Sequence, residues 1–157
     1  MFHGSRTLDY QQRHPKGSNL DCTLPQQYIR LRQSRRIADR VIWTGLGRLP
    51  DVMEDVPAIA VEWVSAGKRS RERDYIHKKR DYARSGIKEY WIIDRFRRTL
   101  TVVAYTGKTA KEHVVAENEL YESSLLPGLQ LPLARLLEAA DRLAQVKQRK
   151  RTPRRRN

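Results

Sequence analysis

Five residues in the middle of the chain have side chains suited to hydrolysing a phosphate ester: Asp39, Asp51, Glu62, Lys78 and Lys79. Glu62 anchors the set. It lies inside AIAVEWVS, residues 58 to 65, whose other members are those of a strand buried on both faces. An ionised carboxylate left there without a partner would cost several kcal/mol. Its presence implies a cation beside it, either a basic side chain or a metal ion.

Two upstream aspartates could share that cation. ADRVIWTG, residues 38 to 45, reads as a strand, and GLGRLPDVMEDVP carries the Gly, Pro and Asp punctuation of a turn. The two strands then form a hairpin with a long tip. With the tip centred near residue 51 or 52, Asp39 faces Val64 and lies diagonal to Glu62, so both carboxylates occupy one face. Asp51 would sit at the tip instead, on the order of 15 Å from Glu62. A hard cation such as Mg²⁺ binds oxygen at roughly 2 Å, so two carboxylates share it only when they nearly touch. Asp39 is therefore the expected mate, although a slip of one residue would turn it to the opposite face. Two acids bridged by a metal ion can activate water and offset the charge of a phosphodiester.

A cation on a neighbouring helix would complete such a site. Ser70 to Ser85 has a helical pattern, with Ser70 as the cap and Gly86 as the residue that ends it. At about 100° per residue, Tyr75, Ile76, Tyr82 and Ala83 form the apolar face. Arg73, His77, Arg80 and Arg84 fall opposite, which places His77 in solvent. Asp74, Lys78 and Tyr82 are four apart and line one side, with Lys78 at the margin of the apolar face. From there its stem can be buried while its ammonium reaches the sheet, holding the attacking water or stabilising the transition state. Lys79, nearer the middle of the apolar arc, is the alternative. Each residue also has a plainer reading. Glu62 could pair with a core arginine, Asp39 could close a loop, and Lys78 could pair with Asp74 in solvent.

The remaining elements frame this group. The first twenty residues show no strong period and read as weakly ordered. LDCTL is a short strand closed by Pro25, followed by a basic loop around RLRQSRR. EYWIID and TLTVVAYT, separated by RFRR, form a second hairpin, and HVV and ELYESS add a weak edge strand. PLARLLEAADRLAQV spaces Leu133, Leu136, Leu137, Ala140 and Leu143 as a closing helix that packs on the sheet. There is no internal repeat and no repeated βαβ unit.

The chain of 157 residues suits one domain, assigned here to residues 1–145 and followed by a disordered basic tail, 146–157. No apolar run approaches the roughly 18 residues of a membrane span, and the amino end lacks a secretory apolar region. A single cysteine, Cys22, excludes an internal disulfide and a cysteine-rich zinc site, which fits a reducing cytoplasm. The 32 basic and 18 acidic residues leave a net charge of +14, which points to polyanionic partners. The last eleven residues, KQRKRTPRRRN, hold seven of the basic residues and no acid, so they could follow phosphates without sequence preference.

The stretch from Val56 to Tyr105 resembles the bacterial Uma-two family of putative restriction endonucleases, a branch of the PD-(D/E)XK nuclease superfamily. The resemblance rests on VEWVS, on Asp74, Lys78, Tyr82 and Gly86 at steps of four, and on Glu89, Tyr90, Trp91 and Asp94. LLPGLQLPLARLL resembles the family's usual end, so the likeness covers about residues 38 to 143. It implies an α/β fold with a restriction-endonuclease-like core, a mixed sheet flanked by helices. It further implies DNA as the partner and hydrolysis that depends on Mg²⁺ or Mn²⁺; nucleases that cut both strands often act as dimers, which makes a homodimer a candidate for the acting unit. Glu62 matches the family's acid, and Lys78 matches a helical lysine in place of the usual one two residues after the acid, where Val64 stands. The superfamily's earlier Asp commonly follows Pro, as Asp51 does here, but Asp39 opens the strand before the acid strand and takes the role by position. On this reading Asp39 and Glu62 hold the metal and Lys78 joins them in catalysis. Family members usually begin with a helix bearing a glutamate, whereas this chain has no Glu before Glu54, so a shortened amino-terminal part is expected. The alternative is a catalytically degenerate nucleic-acid-binding protein on the same fold.

Overall fold

The computed structural model describes residues 19–151, so the readings of residues 1–18 and 152–157 lie outside it. Its central feature is a six-stranded sheet in the order β1 to β6. The strands are β1 (Leu20–Arg30), β2 (Arg35–Thr44), β3 (Ile59–Trp63), β4 (Glu89–Asp94), β5 (Thr99–Thr106) and β6 (Thr109–Ala116). All neighbours are antiparallel except β3 and β4, which run parallel. Parallel neighbours need a crossover, and α1 supplies it. This helix runs through three segments, Lys68–Glu72, Arg73–Lys78 in π geometry and Lys79–Tyr82. The fold is thus α/β, a mixed sheet flanked by helices.

The sheet is buried on both faces, and the alternation of side chains along β4 shows how. Tyr90 and Ile92 point into the cluster beneath α1, together with Val41, Trp43, Ala60 and Tyr82. Trp91 and Ile93 point into the opposite cluster, closed by Leu133, Leu136 and Leu137 of α2 (Leu133–Arg151). A separate two-stranded sheet, β7 (Leu120–Glu122) with β8 (Gln130–Pro132), leads into α2. Glu89, 6% exposed, ties the two layers together by accepting from Trp91 Nε1 at 2.7 Å, Tyr121 Oη at 3.0 Å and Ser123 Oγ at 2.9 Å.

Both expected hairpins form, but several details differ from the sequence reading. β1 does not end at Pro25. It runs on to Arg30, because β1 is the sheet's edge and a proline there forfeits no ladder bond that the sheet needs. The basic loop shrinks to a turn closed by Leu31 N–H donating to Ser34 O at 2.9 Å. The weak edge strand is a full β6 on the main sheet, while Leu120–Glu122 pairs elsewhere. α2 continues past residue 145, so residues 146–151 of the expected tail are helical. Only its first half packs: Leu136 and Leu137 are fully buried, whereas Leu143 is 47% exposed.

This asymmetry predicts a contrast. Leu136→Ala should cost about 2–5 kcal/mol of stability by leaving a cavity, and Leu143→Ala no more than about 0.5 kcal/mol. Urea unfolding of the two variants checks it, and equal losses would contradict the packing described.

Candidate active site

β2 and β3 bring the two acids level. Arg40 pairs with Val61, and one further step along both strands sets Asp39 opposite Glu62. The expected register differs from this one by two residues, an even number, so both side chains still project from the same face. Asp39 also ends the ladder. Its Oδ2 accepts from the Trp63 N–H at 2.7 Å, taking a donor that backbone pairing leaves open at the strand's end.

Glu62 is 2% exposed, and the cation it requires is Lys78. The Lys78 ammonium lies 2.6 Å from Glu62 Oε1, donates to Ile37 O at 3.3 Å and stands 3.6 Å from Asp74 Oδ1. Tyr82 Oη donates to Glu62 Oε1 at 3.1 Å. Asp74, Lys78 and Tyr82 are the residues of α1 that are buried, and they recur every four positions. In a pure α-helix such a stripe drifts around the axis. A π turn holds more residues than an α turn, so the π segment Arg73–Lys78 turns the stripe back toward the sheet. Two tyrosines support this irregular stretch from below, Tyr90 Oη donating to Asp74 O at 2.9 Å and Tyr105 Oη to Lys79 O at 2.7 Å.

The apolar arc expected for α1 is corrected by the same geometry. Ile76, placed on the inner face by a uniform period, is 57% exposed, and the inner face is the polar stripe instead. Lys79 turns away to an ion pair with Glu112, so Lys78 is the lysine at the acids. His77 is exposed, as expected. Asp51 is an exposed loop residue whose Oδ1 accepts from Met53 N–H at 2.9 Å, a turn role away from Glu62. The sequence shows Asp74 and Tyr82 at steps of four from Lys78 but assigns neither a role beside the acids. Asp74 is 1% exposed, and its Oδ2 is a buried acceptor without a hydrogen-bond partner among the described residues.

Burial pushes the Glu62 carboxyl up to about 8, the Lys78 ammonium opposes that rise, and the adjacent Asp39 carboxyl adds to it. Tyr82 is raised by burial and by Glu62, so it remains a donor. Among the described residues no group of three His, Cys, Asp or Glu side chains is arranged to hold a metal ion. The donor set present is two facing carboxyls. Mg²⁺ commonly takes one or two protein carboxylates and completes its shell with water and phosphate oxygens, so this pair fits it. Asp39 also lines a groove of about 660 Å³ whose other walls include Arg40, Trp63, Phe96, Lys147 and Arg151. Of the two acids, Asp39 is the one that meets this basic groove.

The family model Uma2, described as putative restriction endonuclease, matches residues 8–134. A crystal structure of a putative nuclease belonging to DUF820 from Anabaena variabilis superposes with a TM-score of 0.56 at 12% identity, covering 85% of this chain and 78% of that one. That likeness shows a shared fold. No curated protein matches the chain in sequence.

The raised Glu62 group predicts a pH effect of definite sign. Unfolded, it loses its proton near its ordinary value of 4.5; folded, it keeps the proton up to about 8. Between these values the native state binds more protons, so its contribution to stability is complete below the lower value and lost as pH rises through the upper one, by at most ~1.4 kcal/mol per pH unit. In Glu62→Gln that component should vanish. Urea unfolding in EDTA at a series of pH values measures the slope, and an unchanged slope in the variant would mean that Glu62 is ionised throughout.

Proposed function

The chain belongs to the Uma2 family of putative restriction endonucleases, and on that footing we propose that it is a metal-dependent DNA endonuclease with Asp39 and Glu62 as ligands of Mg²⁺ or Mn²⁺ and Lys78 as the catalytic cation. One observation carries the reading. Two carboxyls on adjacent strands meet on one face with a buried ammonium 2.6 Å from one of them, beside a groove of basic residues.

Asp39 and Glu62 would hold a divalent ion, which when bound would supply charge that favours ionisation of water and offsets that of the phosphodiester. The chain's own groups do the positioning. The Trp63 N–H holds Asp39 through Oδ2, and the Tyr82 hydroxyl holds Glu62 through Oε1. Lys78 has three donor hydrogens and three acceptors around it, of which Asp74 Oδ1, at 3.6 Å, is the most distant. Releasing that one frees a proton to point at the water or at the phosphoryl oxygen as negative charge builds there. Because the ammonium is almost buried, its field acts with little screening at the moment of reaction. The net charge of +14 draws the phosphate backbone toward the groove and makes the encounter salt-dependent.

A second reading, a catalytically degenerate nucleic-acid-binding protein on this fold, draws on the two-carboxyl donor set and on Glu62 being engaged by Lys78. Supercoiled plasmid with Mg²⁺ or Mn²⁺ separates the two. The endonuclease should nick it, and Asp39→Asn, Glu62→Gln and Lys78→Ala should each lower the rate on the order of 100-fold or more. Asp51→Ala and Lys79→Ala should cut as the parent does. Plasmid left intact by the parent protein under both ions would decide for the binder.

A further inference from the structure

The groove beside Asp39 has a character that a phosphate-binding surface alone does not need. It opens at the carboxyl ends of the parallel strands β3 and β4, a place where α/β sheets characteristically take ligands. Its lining includes four cations, Arg40, Arg95, Lys147 and Arg151, against one acid, Asp39. The same lining holds two aromatic residues, Trp63, half-buried and packed in part on the core, and Phe96, 42% exposed with the Arg95 guanidinium stacked 4.3 Å from its centre. Arg40 is partly buried and donates to Thr23 Oγ1 at 3.1 Å, and among the described residues it has no carboxylate partner. Lys147 and Arg151 are four apart on the outer half of α2, which puts both on the side of the helix that walls the groove.

From this combination we propose that the groove binds single-stranded DNA, its phosphates following the cations and a base stacking on Phe96 or Trp63, with the neighbouring phosphodiester at Asp39. The cutting half of this statement rests on the endonuclease reading; the binding half does not. A continuous duplex keeps its base faces covered by its own stacking and offers mainly phosphates and groove edges. It therefore gains nothing from rings set among the cations. An unpaired strand gains from both, since every base has a face to stack and each phosphate a charge to place.

Anisotropy titrations of labelled single-stranded DNA and of the matched duplex, in EDTA, test the inference without catalysis. The single strand should bind at least about 10-fold more tightly than the duplex, and Phe96→Ala should weaken it about 5- to 10-fold while leaving the duplex unchanged. Lys147→Glu with Arg151→Glu should weaken the single strand about 10-fold or more and flatten the salt dependence. All three substitutions lie at exposed positions, and far-ultraviolet circular dichroism checks that the variants are folded. Equal affinity for duplex and single strand, or single-strand binding indifferent to Phe96→Ala, would overturn the proposal. Adding Mg²⁺ or Mn²⁺ to the same substrates keeps the two readings apart. Single-strand binding with no cleavage of either substrate would remove the endonuclease reading and leave the groove assignment supported.

Discussion

The contact between Lys78 and Glu62, 2.6 Å long and almost wholly enclosed, is the constraint around which the rest is arranged. A carboxylate in the middle of β3 obliges a cation to come to it. The cation must come from the face that Glu62 occupies, and the parallel crossover from β3 to β4 puts α1 there. Tyr82 adds a hydrogen bond one turn further on, and its ring meets Tyr90 edge to face at 4.9 Å, fixing the helix against β4. Such a pair is weak support for stability, since desolvating two charges costs about what their attraction returns, and well-packed apolar residues often do as well. A sheet that needed only a core at this position could have placed another valine in β3. An acid, a lysine, a tyrosine and an aspartate with an oxygen unpartnered among the described residues stand together here instead, the kind of perturbed cluster on which the proposed function draws.

How much of this was legible in the sequence depended on which period a segment obeys. β2 to β5 were readable because buried strands are rich in β-branched and aromatic residues and their turns are marked by Gly, Pro and charge. The hairpin register was misplaced by two residues, which a long irregular tip leaves undetermined, yet the faces survived because side-chain direction repeats every two. The helix fared differently. A uniform α period put Ile76 inside and made Lys79 a rival to Lys78, whereas the π segment follows the four-residue repeat of Asp74, Lys78 and Tyr82. The repeat was visible; the change in helical geometry that serves it was not. Residues buried by a polar stripe also defeat a hydrophobicity pattern by construction. Asp51, preceded by proline, has the sequence context of a site residue, yet the Gly, Pro and Asp punctuation around it already marks a turn, and its Oδ1 accepts from the Met53 N–H there.

α2 joins two tasks in one continuous helix. Leu133, Leu136 and Leu137 anchor its start on the sheet, and beyond Ala140 the apolar stripe gives way to a face carrying Lys147 and Arg151. The strongly basic carboxyl end, read from composition as a solvated tail, is over residues 146–151 an ordered wall of the groove beside Asp39. Cations at the end of a helix also complement its negative pole, so the last turn's Arg149, Lys150 and Arg151 suit the helix as well as a polyanion. Charge that would be non-directional on a loose tail acquires a direction when a helix holds it.

The protonation of Glu62 connects the structural and the proposed chemical roles of the site. Burial and the facing Asp39 favour the protonated carboxyl, and the Lys78 ammonium works against them. Both influences that hold the proton on are ones that a positive charge between the carboxyls would offset, because such a charge attracts each carboxylate and screens one from the other. Lys78 alone offsets them only in part, since it reaches Glu62 from the helix side and leaves Asp39 to the Trp63 N–H. The side of the pair nearest Asp39 is also the side that opens to the groove. The divalent cation of the proposed function would supply such a charge, and Asp39 is the carboxyl through which it would be reached from the groove.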